Sequence, residues 1–72
     1  MTAPEMIVLM NRTPFEPLEI HLSDDTTIRV EHPYEIATHP TGRSCVIYEE
    51  NGQMRIVAYR NITEVITTAT AN

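Results

Sequence analysis

Three histidines and one cysteine are the side chains in this chain that could ligate a metal ion: His21, His32, His39 and Cys45. Structural zinc sites hold such ligands in closely spaced pairs, and this sequence contains no such pair. His21 should point outward from the middle of a strand, and His32 precedes a proline. The sequence therefore predicts no metal site.

The carboxylates that could act as acid or base catalysts fall mostly in predicted turns, as with Asp24, Asp25, Glu49 and Glu50. Catalysis requires such groups to be held in a pocket, with neighbours that orient them. Turn carboxylates are solvated, and a small barrel fills its interior with its own side chains. We therefore expect neither enzymatic activity nor a bound cofactor.

Tyrosine and arginine side chains could bind single-stranded RNA by stacking on bases and pairing with phosphates. The candidates are Tyr34, Tyr48, Tyr59, Arg29, Arg43, Arg55 and Arg60. Tyr48 and Arg55 form the strongest pair, although a cross-strand pair of this kind also stabilises ordinary sheets. The net charge is −5 and lysine is absent, which argues against general affinity for nucleic acid. RNA binding is therefore the alternative, not the expected function.

A chain of 72 residues can form one hydrophobic core, so we expect a single domain over residues 1–72. The single cysteine, Cys45, excludes an intrachain disulfide, and its apolar neighbours suggest a buried thiol in a reducing cytoplasm. The apolar run from Met6 to Met10 is too short to span a membrane. We therefore expect a cytoplasmic protein with no membrane partner.

The first element should be a short helix over residues 3–11, within an N-terminal helix and connection at 1–13. Thr2 and Glu5 form a capping box, and Pro4 lies in the first turn, where no amide donor is lost. Met6 and Leu9 recur at helical spacing and define a face that must dock on the rest of the domain.

Two hairpins should follow. In the first, a three-residue loop from Ser23 to Asp25 pairs Ile20 with Ile28 and Glu19 with Arg29. The second is predicted around a two-residue Asn51-Gly52 turn. That turn sets the following pairs opposite each other: Cys45 and Ala58, Val46 and Val57, Ile47 and Ile56, Tyr48 and Arg55.

This register of the second hairpin gives it two apolar faces. Cys45, Ile47, Ile56 and Ala58 would line the core. The opposite face is then the candidate interaction face, formed by Val46, Tyr48, Arg55, Val57 and Tyr59. Because the helix is too short to cover all of it, we expect a protein partner or a homo-oligomer, most simply a dimer. The predicted function is therefore that of a small protein-interaction or regulatory module, which acts through this sheet face or by self-association.

The remaining segments connect these elements. Residues 34–43 should form a connection with a short irregular strand near 35–38. Asn61 should cap a helical turn in which Ile62, Val65 and Ile66 point inward. Residues 67–72 should form a frayed tail. Together the elements predict a mainly β domain, a small antiparallel SH3-like or Sm-like barrel or bent sheet with one short N-terminal helix.

The run RTPFEPLEIHLSDDTTIRVEHP, from Arg12 to Pro33, resembles a family of short bacterial proteins of uncharacterised function. That pattern has a Pro-Phe pair, an alternating strand, an Asp-Gly turn, a second alternating strand and a closing His-Pro. Asp25 stands here where the pattern has glycine. The resemblance implies the same fold and no functional site.

Overall fold

The computed structural model describes residues 1–68, which form one α-helix, two single turns of 3-10 helix (Pro33–Glu35 and Tyr59–Asn61) and two antiparallel sheets. The helix and strands are α1 (Ala3–Met10), β1 (Leu18–Leu22), β2 (Thr27–Val30), β3 (Ile36–Thr38), β4 (Ser44–Tyr48), β5 (Met54–Ala58) and β6 (Ile62–Thr67). The first sheet has the order β2-β1-β6, and the second has the order β3-β4-β5. A mainly β fold with one short N-terminal helix is therefore confirmed.

Helix α1 begins at the predicted capping box. The Thr2 side chain accepts a hydrogen bond from the Glu5 amide, and the Glu5 carboxylate accepts one from the Thr2 amide at 2.8 Å. Met6 is completely buried, whereas Val8 on the opposite side is exposed. The helix thus docks through the face that its sequence defines, because a helix this short is marginal unless it packs.

The first hairpin has the predicted register. Ile20 lies opposite Ile28, and Glu19 lies opposite Arg29. The loop closes through the Asp25 amide, which donates to the Leu22 carbonyl at 3.0 Å, and Asp25 has a φ of 68°. Hydrogen bonds from the side chain and the backbone amide of Thr26 lower the pKa of the neighbouring Asp24 carboxyl. The positive φ of Asp25 confirms the predicted left-handed conformation at the third loop residue.

Replacing Asp25 with glycine should stabilise the domain by about 0.5 to 1 kcal/mol. The left-handed conformation is strained for a residue with a Cβ atom, and this gain exceeds the added chain entropy of glycine in the unfolded state. Paired thermal melts of the parent and the Asp25→Gly variant measure the change. A lower melting temperature for the variant would show that the Asp25 side chain itself holds the turn.

The C-terminal segment differs from its prediction. Residues 59–61 form a single turn of 3-10 helix, and Ile62–Thr67 then continue as strand β6 instead of a helical turn. Ile62 is buried, but Ile66 is 41 % exposed, so the three apolar residues do not all point inward. The segment is rich in β-branched residues, and pairing with β1 gives it hydrogen-bond partners that a helical turn would lack.

The predicted frayed tail does not begin at Thr67. Thr67 is the last residue of β6 rather than the start of a frayed tail. Residues 69–72, the rest of the predicted tail, lie outside the described residues.

The second hairpin has a different register from the predicted one. Its loop contains three residues, 50–52, and Gly52 takes the left-handed third position with a φ of 86°. Val46 consequently lies opposite Ile56, and Tyr48 lies opposite Met54. The turn repeats the geometry of the first hairpin, with the Gly52 amide donating to the Glu49 carbonyl at 2.9 Å. A shift of one residue reverses the faces of β5.

The two sheets and the helix share one core. Residues from both sheets and from α1 form a single buried cluster: Ala3, Met6, Leu18, Ile20, Ile28, Val30, Ile36, Cys45, Ile47, Val57, Tyr59 and Ile62. Within residues 1–68, the strand ladders remain two separate three-stranded sheets. The strand between Glu35 and Thr38 is present as β3, which forms one edge of the second sheet.

Candidate interaction face

The solvent-facing side of the second sheet is apolar. We define its outer face as Ala37, Val46, Tyr48, Met54 and Ile56. Ala37 pairs with Val46, which pairs with Ile56, so these three side chains form a row across all three strands. Ile56 is 69 % exposed, Met54 55 % and Tyr48 52 %. Three large exposed side chains on one small sheet form a contiguous apolar patch.

The corrected register moves two predicted site residues into the core. Val57 is only 5 % exposed and Tyr59 only 4 % exposed, so neither belongs to an accessible face. The Tyr59 hydroxyl donates to the Thr38 hydroxyl oxygen at 2.5 Å, and burial raises the pKa of the Tyr59 phenol. Ile56, which was predicted to lie in the core, occupies the exposed position instead, and Ala58 is half-buried.

Arg55 lies at the rim of the hairpin and not beside Tyr48. Its backbone is opposite Ile47, and its guanidinium forms an ion pair with Glu49 at 3.0 Å. The predicted Tyr48–Arg55 pair is therefore wrong, since Tyr48 lies opposite Met54. Of the five predicted residues, the structure places only Val46 and Tyr48 on the outer face.

Ile56 and Met54 are the outer-face residues that sequence reasoning missed. A signal for them was present in the chain. Both hairpin loops accommodate three residues with a turn-forming residue in the third place, Asp25 in one and Gly52 in the other. Applying the first loop's geometry to the second would have put Ile56 on the exposed side, because each one-residue change in loop length reverses a strand's faces.

Strand β5 is an edge strand: within residues 1–68 no strand pairs with its second side, which faces the turn at residues 22–24 across a cleft of about 270 Å³. The Glu49 amide donates to the Gln53 carbonyl, and the Tyr59 amide donates to the Arg43 carbonyl. In an antiparallel ladder such pairs recur at every second residue, so the backbone groups of Met54, Ile56 and Ala58 point away from β4. The sequence of β5 contains no proline or lysine, the residues that commonly protect an edge.

The side chains considered for RNA binding are dispersed or already paired. Tyr34 is 78 % exposed and stacks on His32, with the ring centroids 5.0 Å apart. Arg29 forms an ion pair with Glu31, which raises the pKa of its guanidinium, and Arg55 is paired with Glu49. The structure therefore disperses most of the predicted tyrosines and arginines, and it brings together only Arg43, Arg60 and the buried Tyr59.

The potential metal ligands do not converge either. Within residues 1–68, no three histidine, cysteine or carboxylate side chains are placed to hold a metal ion. His21 instead contacts Glu19, with 2.8 Å between Nε2 and Oε1. Cys45 is buried, and burial raises the pKa of its thiol, so the reactive thiolate is disfavoured there.

Comparison with protein-family models, with curated protein sequences and with solved structures finds no match for this chain. No helix within residues 1–68 has the length and apolar character needed to cross a membrane. The outer face and the adjoining open edge of β5 are therefore the features from which a function can be argued.

Proposed function

We propose that this protein is a small interaction module that self-associates as a symmetric dimer through β5 and the outer face. The observation that carries the proposal is the position of Ile56. Its side chain is 69 % exposed at the end of the apolar row, and its strand forms the open edge of the sheet. An exposed β-branched residue on an unprotected edge favours pairing with another strand.

A second copy of the chain fits this edge because β5 is complementary to itself. A two-fold axis at Ile56 places it opposite the partner's Ile56 and places Met54 opposite the partner's Ala58. The backbone amide and carbonyl groups of these residues point away from β4. Pairing of the two β5 strands would therefore give these groups hydrogen-bond partners in both copies. Arg55 would lie opposite the partner's Val57, which avoids like charges in direct opposition. The row of Ala37, Val46 and Ile56 in one copy would then join the same row in the partner, which gives one continuous apolar face.

The shared core also supports an SH3-like or Sm-like arrangement, in which the two sheets bend toward each other around the residues that they bury together. In a reducing compartment such as the cytoplasm, Cys45 would remain a free buried thiol. Nucleic acid is not the proposed partner, because Arg29 and Arg55 are already paired with carboxylates. Tyr59, the tyrosine next to Arg43 and Arg60, is buried and cannot stack on a base. Labelled single-stranded RNA at low salt should accordingly show no saturable binding.

The Ile56→Asp variant should be monomeric at concentrations where the parent protein is dimeric. An aspartate at this position places two carboxylates opposite each other on the two-fold axis and removes the apolar contact. Light scattering coupled to size-exclusion chromatography, run over a concentration series, measures the mass. Circular dichroism should be unchanged, because Ile56 contributes little to the core of the monomer.

Val8→Asp provides the matched control, since Val8 is similarly exposed, at 63 %, but lies on α1. This variant should retain the parent mass. A parent protein that remains monomeric at high micromolar concentration would overturn the proposal. Equal loss of mass in both variants would also contradict it, because association would then depend on general hydrophobicity and not on β5.

A further inference from the structure

A second surface, which adjoins the outer face at Ser44 and Ala58, is a cleft of about 770 Å³ beside the start of α1. Its walls come from the first turn of the helix, the loop at 40–42 and the chain around Tyr59. Arg43 and Arg60 both line it, and both are exposed. We refer to this region as the arginine cleft.

The arginines of this cleft differ from the other three in the chain. Arg12, Arg29 and Arg55 each form an ion pair with a glutamate. Arg43 and Arg60 form none with any residue in the described part of the chain. The chain has ten aspartate and glutamate residues, yet none of them lines the cleft. The cleft therefore holds two arginines without an ion-pair partner among residues 1–68, although the Glu5 carboxylate accepts hydrogen bonds from Thr2 in its lining.

The rest of the lining adds apolar surface and hydroxyl groups. Ala58, Tyr59 and Pro40 contribute apolar wall, and Ser44 contributes a hydroxyl. The first turn of α1 forms a wall in which the capping box already uses the Thr2 and Glu5 amides and Pro4 has no amide hydrogen. The charged side chains of the lining are the two guanidinium groups, which suit carboxylate and phosphate oxygens.

We propose that the arginine cleft binds a small molecule that carries a phosphate or carboxylate group on an apolar body. The anionic group contacts Arg43 and Arg60, and the apolar body lies against the wall formed by Ala58 and Pro40. The site shares Ala58 with the proposed dimer edge, but its charged groups, Arg43 and Arg60, lie outside β5, so different variants test the two proposals.

Three probes with the same ring test the site: phenyl phosphate, benzoate and the neutral phenol. Each is titrated at constant ionic strength into ¹⁵N-labelled protein, and the amide shifts of Gly42, Ser44 and Arg60 are followed. At least one anionic probe should shift these amides saturably, whereas phenol should not. The stronger of the two anions identifies the group as phosphate or carboxylate.

The Arg60→Gln and Arg43→Gln variants should each weaken binding of the stronger probe by about tenfold, the loss expected when one charged hydrogen-bonding partner is removed. Arg12→Gln is the matched control, because Arg12 lies outside the cleft and is paired with Glu16. This control should bind as the parent does. Absence of saturable shifts with both anions, equal shifts with phenol, or equal weakening in all three variants would overturn the proposal.

Discussion

The Val57→Asp variant should fail to fold at neutral pH, whereas Ile56→Asp, altered at the adjacent position, should fold normally. Val57 is 5 % exposed and belongs to the core, so an aspartate there would bury a carboxylate without a partner. An uncompensated buried charge costs about 3 to 5 kcal/mol, and the apolar burial of valine is lost as well. Domains have only roughly 0.05 to 0.15 kcal/mol of stability per residue, so a chain of this size cannot absorb such a loss.

Circular dichroism and urea unfolding of the two variants measure this difference. Val57→Asn, which is close in shape to aspartate but uncharged, separates the effect of charge from that of polarity and should be less damaging. A folded Val57→Asp monomer would contradict the register described for β4 and β5. A folded Val57→Asp monomer is the result that the register predicted from a two-residue Asn51-Gly52 turn would give, because that register points Val57 toward solvent.

Ile20→Ala should lower the free energy of unfolding by about 2 to 4 kcal/mol, the usual cost of truncating a fully buried aliphatic side chain. Ile20 is completely buried in β1, the central strand of the first sheet. Its cross-strand neighbours are Ile28 on one side and Val65 on the other. Removal of its side chain leaves a cavity. Because β1 is hydrogen-bonded to β2 on one side and to β6 on the other, these strands cannot easily shift to fill it.

Ile56→Ala is the matched comparison, because the register predicted from the sequence placed Ile56 in the core as well. Since Ile56 is 69 % exposed, the change in monomer stability should stay within about 0.5 kcal/mol. Urea unfolding at a concentration low enough to keep the protein monomeric measures both variants. Equal losses would show that Ile56 is buried and that the outer face is assigned to the wrong side of the sheet.

The outer face and the arginine cleft both depend on how the chain passes from β5 into the turn at 59–61. Ala58 contributes a backbone to the proposed dimer edge and a side chain to the wall of the cleft. Tyr59 anchors this corner from inside through its hydrogen bond to Thr38. The two proposed binding functions are therefore supported by one buried contact, even though their tests are independent.

The amino-acid sequence determined the elements whose signals are local. The capping residues Thr2 and Glu5 specify where α1 begins, and the alternation around Ile20 and Ile28 admits one register for the first hairpin. Even the left-handed Asp25 followed from that register. In each case the stabilising interactions are between residues that are close along the chain. The local sequence is therefore enough to predict the structure there.

Tertiary structure decided the features that depend on distant partners. Strand β6 exists as a strand because β1 offers it an edge about forty residues earlier in the chain, a partner that no local pattern around Ile62 reveals. In the second hairpin both residue parities are apolar, so hydrophobic pattern does not select a register there. Packing of Val57 against the shared core selects it, and the same choice leaves Ile56 exposed. Arg43 and Arg60 come together where the β4–β5 ladder ends, at the bond from the Tyr59 amide to the Arg43 carbonyl, but the cleft itself needs a further wall from the first turn of α1, which is distant in sequence.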